Sequence, residues 1–264
     1  MRDDNFQDMA TYKKRGFKPK TKAEKEQNIE EGSTTAEVFN TLDETASKTE
    51  AFVAKNQKYI FIIVGVVAAA VLGSLAYKEY VAKPKQLNAM NDMFQAQKFF
   101  NEAVNGVAKD SLFTLALNGG EGKFGMLDII DEYSGTPAAN LANYYAGTAY
   151  LRLKDYKNAV SYLSEFKSDD EVLAPLAQGN IGDAFVQLDQ PEDALGYYEK
   201  AIALRDNGYT TPMYLYKAGA LALQLGKADK ALEYFKRIKE EYPDSSEAST
   251  IDVFIGKAEV IASK

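Results

Sequence analysis

The stretch "ANYYAGTAYLRLKDYKNAVSYL", residues 142–163, decides the fold. Gly147 is followed three residues later by Tyr150, twelve later by Ala159 and sixteen later by Leu163. The spacing recurs in "QGNIGDAFVQLDQPEDALGYYEKAIAL", where Phe185, Ala194 and Tyr198 follow Gly182. It recurs again in "YKAGALALQLGKADKALEYFKRIKEEYP", where Ala231 and Phe235 follow Gly219 and Pro243 closes the unit. Gly256 extends the series, at successive intervals of 35, 37 and 37 residues. Each unit reads as two antiparallel helices. The small residue lets the first helix approach its partner, and the large one fills the space between units.

These segments resemble the tetratricopeptide repeat, a 34-residue helical hairpin with a small–Gly–aromatic first helix and an Ala–aromatic–Ala second helix. "IDVFIGKAEVIAS", residues 251–263, is similar to a terminal capping helix. Residues 86–135 fit the motif poorly and read as a degenerate first unit. Its long helix would be "QLNAMNDMFQAQKFFNEAVNGVA", beginning after Pro84.

Outward toward the N-terminus, "YIFIIVGVVAAAVLGSLAY", residues 59–77, contains no charge and is flanked by Lys58 and Lys78. At about 1.5 Å per residue such a helix covers roughly the 30 Å of a bilayer core. Tyr59, Tyr77 and Tyr80 stand where interfacial aromatics sit. The segment lies too deep in the chain for a cleaved signal peptide and reads as a signal anchor. The basic run Lys13–Lys25 favours an inside N-terminus and an exported C-terminal domain. That run has anionic lipid and ribosomal RNA as alternative partners.

Residues 1–33 lack apolar periodicity and read as a disordered cytoplasmic tail. Thr34 and Glu37 have capping-box spacing, and Val38, Leu42, Ala46, Thr49 and Val53 then fall on one helical stripe with Phe39 and Phe52 at its margins. This is either an amphipathic helix on the inner leaflet or a membrane partner, or a helical extension of the span. Val38, Phe39, Leu42, Phe52 and Val53 are its candidate contact residues. The expectation is therefore an all-α protein: a single N-terminal transmembrane helix, then a tetratricopeptide α-solenoid of three clear repeats, one degenerate first repeat and a capping helix. The boundaries are 1–33 tail, 34–58 juxtamembrane helix, 59–77 span, 78–138 stalk and degenerate repeat, and 139–264 repeats with cap.

Composition narrows the chemistry. The chain has net charge −7 and no Cys, His or Trp. The usual zinc, iron–sulfur and haem ligand sets are absent, as are cysteine nucleophiles and histidine acid–base catalysis. An acidic chain is a poor binder of nucleic acid. No enzyme and no cofactor are expected. Between two apolar runs, "NGGEGKFG" at residues 118–125 resembles a phosphate loop, but Phe124 follows Gly122–Lys123 where a hydroxyl is required. Leu117 occupies the position of the first glycine. Asn118 and Gly119 suit left-handed helix termination, so a turn is expected instead.

The whole layout is similar to the YfgM family of bitopic inner-membrane tetratricopeptide proteins attached to the SecYEG translocon. "DSLFTLALNGGEGKFGMLDIIDEYSGT" resembles a branch found in Bacteroidetes-type bacteria. The resemblance implies a periplasmic domain beside translocating chains, partnered by SecYEG and a membrane-anchored prolyl-isomerase-type chaperone. In such a repeat the first helices line the concave face, giving Tyr144, Tyr145, Thr148 and Arg152 as groove candidates. The next units contribute Asn180, Asp183 and Gln187, then Tyr216, Lys217 and Gln224. Tetratricopeptide co-chaperones that grip a C-terminal carboxylate use a basic–Asn–Asn–basic clamp in consecutive units. Asn180 matches one clamp residue and Lys217 stands at a cation position, but Tyr144 and Thr148 break the pattern, so no clamp is expected. The alternative role is an envelope-assembly or regulatory scaffold binding another periplasmic partner.

Overall fold

The computed structural model describes residues 34–106 and 109–263, and among them no strand forms. The expected tail at 1–33 lies outside the described residues, as do the side chains of Val38 and Phe39. The chain divides into two compact units after Ser74.

Helix α1 runs Thr34–Tyr77 without interruption, so the amphipathic stripe and the apolar segment are parts of one helix. Leu42, Phe52 and Val53 are exposed on it. An 18-residue window of the helical stretch Thr45–Asn105 has mean hydropathy 2.5 and none of it is buried, which makes the helix long and apolar enough to span a membrane. A π-helical turn, Lys78–Ala82, follows, with the Lys83 N–H bonded to the Lys78 carbonyl. Pro84 explains the turn. It has no N–H for the carbonyl four residues back, and its ring would strike that carbonyl in a regular helix.

In the second unit, α2 (Lys83–Asn105) and α3 (Lys109–Asn118) form an opening hairpin. Met93, Phe100 and Phe113 make its core with Met126 and Ile129 of the short α4, Met126–Glu132. The Ala138 N–H donates to Gln86 Oε1 at 3.0 Å, and Tyr133 donates to Asp92.

The glycine-rich stretch is a turn. The Gly119 N–H returns to the Leu115 carbonyl at 2.9 Å with φ 76°, closing α3. Gly120 and Lys123 then exchange both backbone bonds around Glu121 and Gly122, at φ 56° and 73°. Two successive positive φ values are those of a type I′ hairpin turn.

Three hairpins follow: α5 (Pro137–Arg152) with α6 (Tyr156–Glu165), α7 (Leu173–Gln187) with α8 (Pro191–Leu204), and α9 (Thr210–Gln224) with α10 (Ala228–Glu241). The terminal helix is α11, Ile251–Ala262. Each hairpin turns through the same motif. Lys154, Asp189 and Gly226 take φ 65°, 58° and 72°. The next N–H bonds back five residues, Asp155 to Tyr150, Gln190 to Phe185 and Lys227 to Ala222, which is the Schellman arrangement.

The repeat glycines do the packing work expected of them. A Cβ on Gly147 would lie 2.5 Å from Leu163, on Gly182 2.7 Å from Tyr198, and on Gly219 2.4 Å from Phe235. A Cβ on Gly256 would meet no neighbour within 4 Å, so this glycine does not share the packing role of the other three.

Successive hairpins are tied by asparagines. Asn140 holds the Lys167 backbone through both amide atoms, at 2.8 and 2.9 Å, and Asn207 donates to the Glu171 carbonyl at 2.9 Å. Asp170 starts α7 by accepting the Val172 and Leu173 N–H groups at 2.9 and 2.8 Å. Those backbone donors hold its carboxyl below the usual carboxylate range. Because the folded pKa is the lower one, this contribution is present above the ordinary pKa and lost as pH falls through the folded value. Asp170→Ala is expected to lower Tm by a few degrees at neutral pH and by less in strong acid, as thermal denaturation followed by circular dichroism across pH would measure.

Candidate protein-binding groove

Among the three hairpins, α5 touches α7 and α7 touches α9 at close backbone range, whereas α8 and α10 meet through long side chains, Tyr234 donating to Glu199 and Lys230 pairing with it. The first helices therefore lie on the inner side of the array and their outward-turned side chains line a groove.

Two polar links cross that face. Asn180 on α7 donates to the Thr148 hydroxyl on α5 at 3.5 Å. Lys217 on α9 reaches both oxygens of Asp183 on α7, at 2.8 and 2.7 Å. Asp183 accepts a third bond, 2.7 Å long, from the Tyr198 hydroxyl of α8. Lys217 Nζ also lies 5.5 Å from the Tyr214 ring centre and 5.9 Å from that of Tyr198, within cation–π range. Burial, with the Asp183 charge behind it, pushes the Tyr198 and Tyr214 phenols well above their ordinary pKa, so both remain protonated donors.

The other candidates divide between groove and packing. Tyr144 is half-buried against Phe166, with ring centres 5.2 Å apart, and burial raises its pKa too. Tyr145 packs edge-on against Phe100 at 4.9 Å, and Tyr216 packs against Phe254 at 5.0 Å, so their rings bind neighbouring helices. Arg152, Gln187 and Gln224 are exposed. Gln187 accepts from Tyr156 at 3.4 Å.

Three tyrosines enter the site that the spacing did not single out as groove residues. Tyr198 stands at a core position of the repeat but turns its hydroxyl to Asp183. Tyr214 is 1% exposed and lies over Gly179, where a Cβ would fall 1.9 Å from its ring. Tyr209 precedes α9 and is 64% exposed. The signal for Tyr214 is a paired exchange. Five residues before the repeat glycine, Ala142 and Ala177 give way to Tyr214, and three before it, Tyr144 and Tyr216 bracket Gly179.

Residues 141–170 and 180–246 each match a family model described as tetratricopeptide repeat. The hairpins are tetratricopeptide repeats. No curated protein is significantly similar to the chain. The tetratricopeptide hairpin is a protein-interaction scaffold, and its inner face here presents phenols, amides and one closed ion pair. Among the described residues no group of three carboxylates gathers as metal ligands. A concavity of about 850 Å³ beside Leu42, Val53 and Phe61 is bounded by α1 alone and is an open helix face.

Proposed function

We propose that this chain is a membrane-anchored tetratricopeptide scaffold of the protein-export machinery, ancillary to the SecYEG translocon. Its C-terminal repeats lie on the export side of the inner membrane and hold emerging polypeptide segments or a membrane-anchored prolyl-isomerase-type chaperone. The observation that carries the reading is the union, in one chain, of an apolar helix long enough to span a bilayer and a tetratricopeptide array whose inner face offers the half-buried Tyr144 beside Thr148 and Asn180. Tyrosine suits varied extended segments, since each ring supplies contact area and one hydrogen bond at low entropic cost. The N-terminus is cytoplasmic in this reading, and α1 contacts the channel through Phe52 and its neighbours.

The test is site-specific photocrosslinking in intact membranes, from Tyr144 and Tyr209 on one side and Phe52 on the other, with mass spectrometry of the products. Translocon subunits are expected from Phe52, and exported polypeptides or a periplasmic chaperone from the tyrosines. Recovery of neither class from either set of positions would reject the reading.

A further inference from the structure

We propose that α11 is a pairing surface for a second copy of this chain, the two α11 helices running parallel as a short two-stranded coil. The inference goes beyond the export reading and takes from it only the anchoring of chains in a shared bilayer.

The last helix of a repeat array ordinarily turns a polar face to water. Helix α11 does not. Ile251 and Ala258, 1% and 0% exposed, fix the side that meets the array, and Phe254 and Ile255 pack beside them. The opposite side carries Val253, Gly256 and Val260. Both valines are largely exposed, at 73% and 59%, and a Cβ at Gly256 would meet no atom within 4 Å. Positions 253, 256, 260 and 263 follow the alternating three–four spacing of a coiled-coil seam. On that heptad the buried Ile251 and Ala258 take the position farthest from the seam. The array therefore occupies the back of α11 and leaves the seam open, with the flanking Asp252, Lys257 and Glu259 all exposed.

Charge decides what covers the seam. Asp252 and Lys257 stand on opposite flanks, five residues apart. These are the two flanking positions that meet across a parallel coiled coil. In a symmetric parallel pair each Asp252 faces Lys257 of the second copy, so the pair closes two ion pairs between identical chains. An antiparallel pair would set lysine flank against lysine flank and carboxylate against carboxylate. Asp252 already accepts from Lys239 of α10 at 2.7 Å, but its side chain remains 73% exposed and has room for a second cation. Valine at the first seam position favours two strands, and Gly256 lets the two backbones approach closely. So short a seam buries less than the roughly 1,000 Å² of a stable specific interface, and it gains from the high effective concentration of chains held in one membrane.

The experiment uses the full chain in proteoliposomes. The chain has no cysteine, so one introduced thiol reports by itself. Ser263→Cys places it at the next seam position, and Ser164→Cys, exposed on α6, is the control. Mild oxidation should join Ser263→Cys chains into disulfide-linked dimers, with a yield about tenfold above the control. In the Ser263→Cys background, Asp252→Lys and Lys257→Asp should each lower the yield about tenfold, because each sets like charges across the pair. Mixing these two variants under different tags should restore the yield in mixed dimers alone, since both ion pairs re-form there. Val253→Ala should also reduce the yield while leaving Tm unchanged. Circular dichroism of every variant shows whether it is folded, and the mixed-dimer rescue is independent of the lost Lys239 contact. A Ser263→Cys yield no higher than the control's would overturn the proposal. Dimers that form equally in the charge variants, or without preference in the mixture, would overturn the parallel pairing. Neither result touches the export reading, which stands or falls on its own crosslinks.

Discussion

Phe235→Ala is expected to lower the stability of the repeat unit by about 3–5 kcal/mol, the cost of removing a fully enclosed aromatic ring and leaving its cavity. Phe235 has no exposed surface and fills the notch at Gly219. Its ring centre lies 6.4 Å from that of Tyr216 and 5.5 Å from that of Phe254, so one side chain joins α9, α10 and α11. At roughly 2–4 °C per kcal/mol for a unit of this size, Tm should fall by about 10 °C. Repeats contact only their neighbours, so hydrogen exchange should accelerate in α9–α11 while α2–α5 stay protected. Val253→Ala is the control, since Val253 is 73% exposed. A Tm change for Phe235→Ala no larger than the control's would contradict the packing described.

Gly179→Ala is the second large effect, and its sign separates local from tertiary reasoning. Helix propensity alone favours alanine within a helix by up to about 1 kcal/mol. The fold reverses this. The new methyl would lie 1.9 Å from two ring carbons of Tyr214, whose ring is almost wholly buried and stacks 6.0 Å from Tyr198. Overpacking of this kind costs about 1–3 kcal/mol. A net loss of several degrees in Tm is expected by calorimetry. Gly196→Ala on α8, with no neighbour within 4 Å of the added carbon, should raise Tm instead. In a Tyr214→Ala background Gly179→Ala should lose most of its cost, because the colliding ring is gone. Equal effects of Gly179→Ala in both backgrounds would show that Tyr214 is not what the glycine accommodates.

The repeat was legible because its signals are local. Gly147, Gly182 and Gly219 face the residues sixteen positions on, within one hairpin, and a turn of nearly fixed length sets that distance. The Schellman turns were less legible. Only Gly226 advertises a left-handed residue, whereas Lys154 and Asp189 adopt the same conformation because hairpin closure imposes it. The first unit was legible only as a misfit, since α2, α3 and the short α4 share a core without the repeat's spacing. Of the groove, spacing named Asp183 and Lys217 as neighbours of the inner face but not as partners. It also left Tyr145 and Tyr216 beside Tyr144, although Phe100 and Phe254 draw their rings into packing.

Sequence by itself determined the all-helical repeat, the hairpin unit and the apolar segment, because helical period, small-residue spacing and hydropathy act over one or two turns of chain. Tertiary structure decided which charges meet. Asp183 and Lys217 are 34 residues apart, and Gly179 and Tyr214 belong to successive hairpins. Their contacts depend on the angle at which one hairpin stacks on the next, which arises from the packed volume of both cores rather than from any single stretch of chain.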